Sequence, residues 1–233
     1  MSKDCIFTDM HTCTVLAEKE SGKTILIASE ANKLDSFVVV DVLGVLDKEK
    51  RYRSGHIPRS NYHRADRNSE GDAVDMFIQW EPHTTLKRHV IDFSDFVTKE
   101  EAVEAMEKLS AYLLMIAKNG RPYPVFIDEV QEVCPQLERA GHHTLKLFKT
   151  GRNYGIRPIV AATQRPESTD KEIIEVAHAF LIGGEKGLNT VEKVGKIAGV
   201  DIEVFKKMPR RSFYNTATNK IFTNPNYRYA NKQ

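Results

Sequence analysis

Residues 125–129 read Val-Phe-Ile-Asp-Glu, and the reading of that stretch decides the fold. A β-branched and aromatic run this short, closed by Asp128 and Glu129, predicts a buried strand with two adjacent carboxylates at its tip. Side chains alternate along a strand, so neighbours at its end are expected to point different ways. One acid can then hold a metal ion while the other reaches a water, the division of labour that nucleotide hydrolysis requires. Taken alone, Asp-Glu reads equally well as the opening of a surface turn.

A second half-motif lies upstream, at Ser21-Gly22-Lys23-Thr24. It follows an apolar segment, Cys13-Thr14-Val15-Leu16, and precedes a helical stretch from Ile25 to Leu34. Strand, tight loop and Gly-Lys-Thr opening a helix is the setting a phosphate-binding loop needs. The helix N-terminus offers unpaired N–H groups and partial positive charge to an anion. The loop Ala17-Glu18-Lys19-Glu20-Ser21-Gly22-Lys23-Thr24 is therefore expected to hold ATP. Lys23 would reach the β- and γ-phosphates, and the Thr24 hydroxyl would join a Mg²⁺ shell with Asp128 behind it. The full pattern wants glycine at the first loop position, where this chain has Ala17. Alanine tolerates positive φ poorly, so the loop entry is expected to be right-handed or slightly strained. Glu18 and Glu20 are unusual neighbours for phosphates and are expected to point outward.

Composition sets wider bounds. A chain of 233 residues suits one α/β domain. We read it as a single unit over 1–233, with a motor core over about 13–185 and a C-terminal extension over about 186–233. Lys plus Arg total 34 against 32 for Asp plus Glu, so any nucleic-acid contact must come from local clusters, not a global basic field. Cys5, Cys13 and Cys134 show no paired spacing and read as reduced thiols of a cytoplasmic protein, not as a metal site. No apolar run approaches the ~20 residues of a membrane span, and the N-terminus lacks a signal-peptide core.

Along the chain, strands are expected at 13–16, 37–40, 76–78, 89–93, 123–128, 158–163 and 180–182, and helices at 22–35, 98–118, 142–153, 170–178 and 188–199. Residues 213–222 read as an edge hairpin, and 47–67 as a long polar loop with little fixed structure. Strands alternating with helices predict a mainly parallel sheet covered on both faces, a three-layer α/β sandwich. Ligands of such sheets sit at the carboxyl ends of strands, where Thr24, Asp128, Glu129 and Gln164 all fall.

A third element is the pair Gly151-Arg152-Asn153-Tyr154-Gly155-Ile156 and Ala162-Thr163-Gln164-Arg165-Pro166. Gln164, at the tip of the next strand, can bond both the γ-phosphate side and the attacking water. By itself it would read as a polar strand cap. Arg152, at the end of the intervening helix, could project into a neighbour's site; an arginine supplied in trans is worth roughly 10³–10⁵ in rate in well-studied cases. By itself it would read as a solvated helix-end residue favourable to the dipole.

With these segments in hand, the chain resembles the HerA/FtsK branch of P-loop ATPases. The resemblance rests on residues 21–24, 125–129, 151–156 and 162–166, with looser matches at Val38-Val39-Val40-Asp41 and at 89–94. It implies a RecA/ASCE-like P-loop fold and a pentameric or hexameric ring that moves double-stranded DNA. It also implies Lys23 and Thr24 as phosphate and Mg²⁺ residues, Glu129 as catalytic base, Gln164 as sensor and Arg152 as trans finger. Short length, with no membrane segment, winged-helix tail or N-terminal barrel, makes it look most like the genome-packaging ATPases of tailless, double-jelly-roll capsid viruses. A capsid or vertex protein would then be a partner, and the location host cytoplasm or virion.

DNA would be touched by Arg51, Arg53, Arg59, Arg64 and Arg67, by Arg139 beside His142 and His143, or by Lys206, Lys207, Arg210 and Arg211. Each cluster also reads as an ordinary solvated face. Two other classes stay open: a slowly hydrolysing, nucleotide-dependent binding or assembly protein, and a small-molecule kinase on the same fold. A plasmid or chromosome pump is the alternative within the family.

Overall fold

The structure is a computed structural model that describes residues 5–18, 21–46, 57, 59–64, 71–137, 139–183, 192, 195–206, 208–209 and 212–223. The expectations for Lys19, Glu20, Arg51, Arg53, Arg67, Lys207, Arg210 and Arg211 lie outside the described residues.

In chain order the elements are β1 (Thr12–Leu16), α1 (Lys23–Ala31), β2 (Phe37–Asp41), β3 (Asn61–His63), α2 (Ala73–Trp80), β4 (Arg88–Asp92), α3 (Lys99–Lys118), β5 (Val125–Asp128), α4 (His142–Thr150), β6 (Ile159–Thr163), α5 (Lys171–Glu175), β7 (Ala179–Gly183), α6 (Ile202–Lys206), β8 (Ser212–Asn215) and β9 (Lys220–Thr223). Residues 195–198 are also helical. Among the described residues these strands form one nine-stranded sheet ordered β3-β4-β2-β5-β6-β1-β7-β8-β9. Neighbours from β3 to β7 run parallel. The β8–β9 hairpin closes one edge antiparallel to β7, as the sequence predicts.

β1, β2, β5 and β6 are buried at every position and mostly apolar, because both sheet faces are covered. On one face Val15, Phe37, Val39, Val90, Phe126 and Val160 pack with Leu26 and Ile27 of α1, and Phe7 of the N-terminal segment joins them. On the other, Val38, Val40, Ile91, Val125, Ile127 and Ile159 pack under α2, α3 and α4. The three layers expected from alternating strands and helices are thus observed.

Two sequence expectations need correction. Met76-Phe77-Ile78, read as a strand, lies inside α2. Asp72 and Asp75 form a reciprocal capping box there: the Asp72 side chain accepts from the Asp75 N–H at 2.8 Å, and Asp75 accepts from the Asp72 N–H at 3.3 Å. That cap satisfies two orphan donors, and Ala73, Val74 and Phe77 turn one face inward. The 47–67 stretch is not wholly loop either, since Asn61–His63 adds the edge strand β3 beside β4. There His63 Nε2 and His89 Nδ1 lie 3.0 Å apart, both rings buried against Phe77.

Candidate nucleotide site

β1 ends at Leu16, and the chain leaves the sheet through Ala17 and Glu18 before α1 begins. Gly22 caps α1 at φ 91° and ψ 18°, a left-handed conformation that glycine adopts without penalty. This turn brings Lys23 and Thr24 into the first turn of α1. Lys23 is buried, at 4 % exposure. Its Nζ donates to the Glu18 carbonyl at 3.1 Å and lies 3.5 Å from Glu129 Oε1. The Thr24 hydroxyl donates to Asp128 Oδ2 at 2.6 Å. Ser21 is buried and its hydroxyl has no hydrogen-bond partner among the described residues.

Ala17 takes no positive φ, so the loop entry is right-handed or extended. Its methyl is accommodated from across the sheet. A Cβ added at Gly183 on β7 would meet the Ala17 Cβ at 2.6 Å, closer than real Cβ atoms come. The glycine expected on the loop is in effect displaced to the neighbouring strand, where it leaves room for alanine. Glu18 is half-buried rather than fully outward.

The two acids do not divide as strand alternation alone predicts. Asp128 reaches Thr24 and Glu129 reaches Lys23, so both face the same loop. The reason is local. Glu129 adopts φ 51° and ψ 53°, left-handed in a residue with a Cβ, and starts a 3-10 turn over Val130–Glu132. Such a conformation costs about 1–2 kcal/mol and persists only where its surroundings impose it. Here the turn is fixed by Glu132 N–H to the Glu129 carbonyl at 3.0 Å and Cys134 N–H to the Val130 carbonyl at 2.8 Å.

The field around Asp128 is acidic. Strand register aligns Asp92, Asp41 and Asp128 in one row across β4, β2 and β5. Burial raises the Asp128 carboxyl to about 6; the Thr24 hydroxyl opposes the shift, the Glu129 charge adds to it and Lys23 opposes it. Burial likewise raises Asp41 to about 7, against the N–H groups of Leu46 and Val45, which donate at 2.7 and 3.0 Å. Asp128 Oδ1 is buried without a hydrogen-bond partner among the described residues. A buried carboxylate with one idle oxygen beside a hydroxyl is a hard, oxygen-only donor set of the kind Mg²⁺ takes.

The remaining predicted residues spread over the surface. Gln164 follows β6 and is half-buried. Arg152 is exposed in a 3-10 turn, Gly151–Tyr154, that extends α4. Arg59 and Arg139 are exposed, at φ 55° and 50°. Arg64 points back to the protein: its Nε lies 3.2 Å from Asp95 Oδ2 and 3.8 Å from Asp92 Oδ2.

Residues that motif reading passed over complete the surroundings. Gln131 donates to Glu129 Oε2 at 2.7 Å and accepts from the Thr163 hydroxyl at 2.7 Å. Thr163 stands inside the quoted Ala-Thr-Gln-Arg-Pro segment, and Gln131 two positions after Glu129. No spacing rule flags either, because the bond that joins them crosses from the turn after β5 to β6.

No family model and no curated protein matches this chain. Solved structures do, and they show that the fold is that of a P-loop NTPase. The genome packaging NTPase B204 from Sulfolobus turreted icosahedral virus 2, in complex with AMPPCP, is 15 % identical, with a TM-score of 0.65 over 92 % of this chain and 96 % of that one. The same protein in complex with AMP gives 14 % identity and a TM-score of 0.63 over 92 % and 96 %. The DNA-packaging ATPase B204 from Sulfolobus turreted icosahedral virus is 16 % identical, with a TM-score of 0.65 over 91 % and 95 %. At such identities the likeness is one of fold.

Proposed function

We propose that this chain is an ATP-hydrolysing motor that moves double-stranded DNA during viral genome packaging, acting as a homo-oligomeric ring. One observation carries the reading. Thr24 and Asp128, 104 positions apart, meet at 2.6 Å, and beside them Lys23 Nζ and Glu129 Oε1 lie 3.5 Å from each other. Two half-motifs, each weak alone, close on one point at the carboxyl end of the sheet. Likeness to a DNA-packaging ATPase over most of both chains supports the choice among P-loop functions.

In this reading the loop 17–24 wraps the phosphates of ATP, with N–H groups at the start of α1 directed at them. Lys23 exchanges the Glu18 carbonyl and the Glu129 carboxylate for the β- and γ-phosphates. Thr24 and Asp128 would hold Mg²⁺, which when bound neutralises charge on the phosphate oxygens. Glu129, released from Lys23, orients the attacking water and takes its proton, while Gln164 contacts the γ-phosphate side. Arg152, exposed beyond α4, would enter the site of the adjoining subunit. Arg59 and Arg139, with Arg51, Arg53 and Arg67, are the proposed DNA contacts; Arg64 would first have to leave Asp95 and Asp92. A capsid or vertex protein would anchor the ring.

The test is ATP turnover with and without duplex DNA, in the wild type and in Glu129→Gln. We expect turnover that DNA accelerates, and a fall of about 10²–10⁴ in kcat for Glu129→Gln with nucleotide still bound. Equal turnover in the two proteins would reject the site, and turnover indifferent to DNA would reject the motor.

A further inference from the structure

A chain of buried hydrogen bonds leads away from Glu129 toward the tip of β6. Gln131, 1 % exposed, sits in the 3-10 turn after β5. Its amide Nε2 is 2.7 Å from Glu129 Oε2 and 3.4 Å from Glu132 Oε1. Its Oε1 accepts from Thr163 Oγ1 at 2.7 Å. Thr163 is fully buried at the tip of β6, and its oxygen accepts the Arg165 N–H at 3.0 Å. Thr169 Oγ1, also fully buried, is 3.2 Å from Thr163 Oγ1 and 3.2 Å from the Arg165 carbonyl.

Donor and acceptor capacity fixes the direction of this chain. The Arg165 N–H can only donate, so Thr163 Oγ1 accepts there and its single proton is left for Gln131 Oε1. The Gln131 amide must therefore turn its NH₂ toward Glu129, and the two carboxylates on that side demand the same orientation. Thr163 thus sets the orientation of Gln131, and Gln131 sets the position of the Glu129 carboxylate. The segment that sets Thr163 includes Arg165 and Gln164, the residue proposed to contact the γ-phosphate side. That segment is itself pinned to the far side of the turn after β5. Thr169 bridges Pro135, Asp170 N–H donates to the Cys134 carbonyl at 2.9 Å, and Gln136 N–H donates to the Ser168 carbonyl at 2.9 Å.

We propose that Gln131 is a positioning residue that holds the Glu129 carboxylate in register with the tip of β6, with Thr163 as the group that orients it. The proposal rests on the ATPase reading above. It makes hydrolysis sensitive to the 163–165 segment: a shift there on γ-phosphate contact moves Thr163, and through Gln131 the base. Buried networks of this kind are rigid only while every member is satisfied.

The experiment compares wild type, Gln131→Leu, Thr163→Val and Thr163→Ser as full chains. It reads the Kd of a fluorescent ATP analogue, kcat for ATP, and the melting temperature. Thr163→Val keeps shape and removes only the hydroxyl, so it stands if Gln131→Leu does not fold. We expect kcat to fall about 10–100-fold in Gln131→Leu and in Thr163→Val, the scale of losing an outer-sphere orienting partner, with Kd within about threefold of wild type. Thr163→Ser, which keeps the hydroxyl, should recover most of the rate lost in Thr163→Val. A wild type that hydrolyses ATP while Thr163→Val turns over within about twofold of it overturns this proposal and leaves the ATPase reading intact. Parallel losses of Kd and melting temperature, unrescued by serine, overturn it in favour of a structural role. A wild type that hydrolyses no ATP overturns both.

Discussion

The Thr24 hydroxyl donates to Asp128 Oδ2 across 2.6 Å, joining the start of α1 to the end of β5. The bond pre-places both groups, and replacing the hydroxyl with a methyl would leave a buried carboxylate short of a partner. ATP with Mg²⁺ should raise the melting temperature of the wild type and of Thr24→Ser. It should not raise that of Thr24→Val or Lys23→Ala. The bare Thr24→Val protein should also be about 1–3 kcal/mol less stable, the cost of an unsatisfied buried acceptor, and thermal melts with and without nucleotide measure both effects.

Arg152 is exposed and lies in a different segment from Lys23. If its guanidinium serves an adjoining subunit, Arg152→Ala and Lys23→Ala should each be inactive alone. Mixed, they should regain part of the activity, because some interfaces then join an intact lysine to an intact arginine. Activity as a function of mixing ratio reads this out, and a flat baseline at every ratio would place Arg152 in a structural role.

Gly183 and Ala17 share space for one methyl only: a Cβ at 183 would stand 2.6 Å from the Ala17 Cβ. Gly183→Ala should therefore cost about 1–3 kcal/mol by overpacking and weaken ATP binding by displacing the loop entry. Ala17→Gly should relieve that loss when combined with it. A double-mutant cycle on unfolding free energy should give a coupling of about 0.5–3 kcal/mol, and strict additivity would refute the contact.

His63 and His89 supply a pH dependence. Burial lowers His63 to about 4; burial first, then the neighbouring His63, lowers His89 to about 3. Both titrate near 6.5 when unfolded, so between pH 6.5 and 4 the unfolded chain binds more protons than the folded one. Stability is then complete above about pH 6.5 and lost as pH falls through that window, by up to about 1.4 kcal/mol per pH unit for each ring. Chemical denaturation from pH 7 to 4.5 should show a shallower decline in His89→Gln, by about one ring's share.

Much of the fold was legible because its signals are local. Val125–Asp128 is too short and too β-branched for a helix, and Gly22-Lys23-Thr24 carries its own turn chemistry. The run Met76-Phe77-Ile78 misled because three apolar residues carry no period; what makes it helical is the Asp72–Asp75 cap, whose two bonds exist only once the turn has formed. The single β3 strand was hidden in a polar, arginine-rich stretch, since its pairing is supplied by β4.

At the site, residue identity came from the chain, while direction came from packing. Spacing along one polymer named Lys23, Thr24, Asp128 and Glu129 and put Asp128 behind Thr24, but it did not place Glu129 against Lys23. The aspartate row Asp92-Asp41-Asp128 and the Gln131–Thr163 bond arise between strands that are neighbours only in space. Sheet order is settled by burying both faces at once, a condition on the whole molecule that no local window of sequence contains.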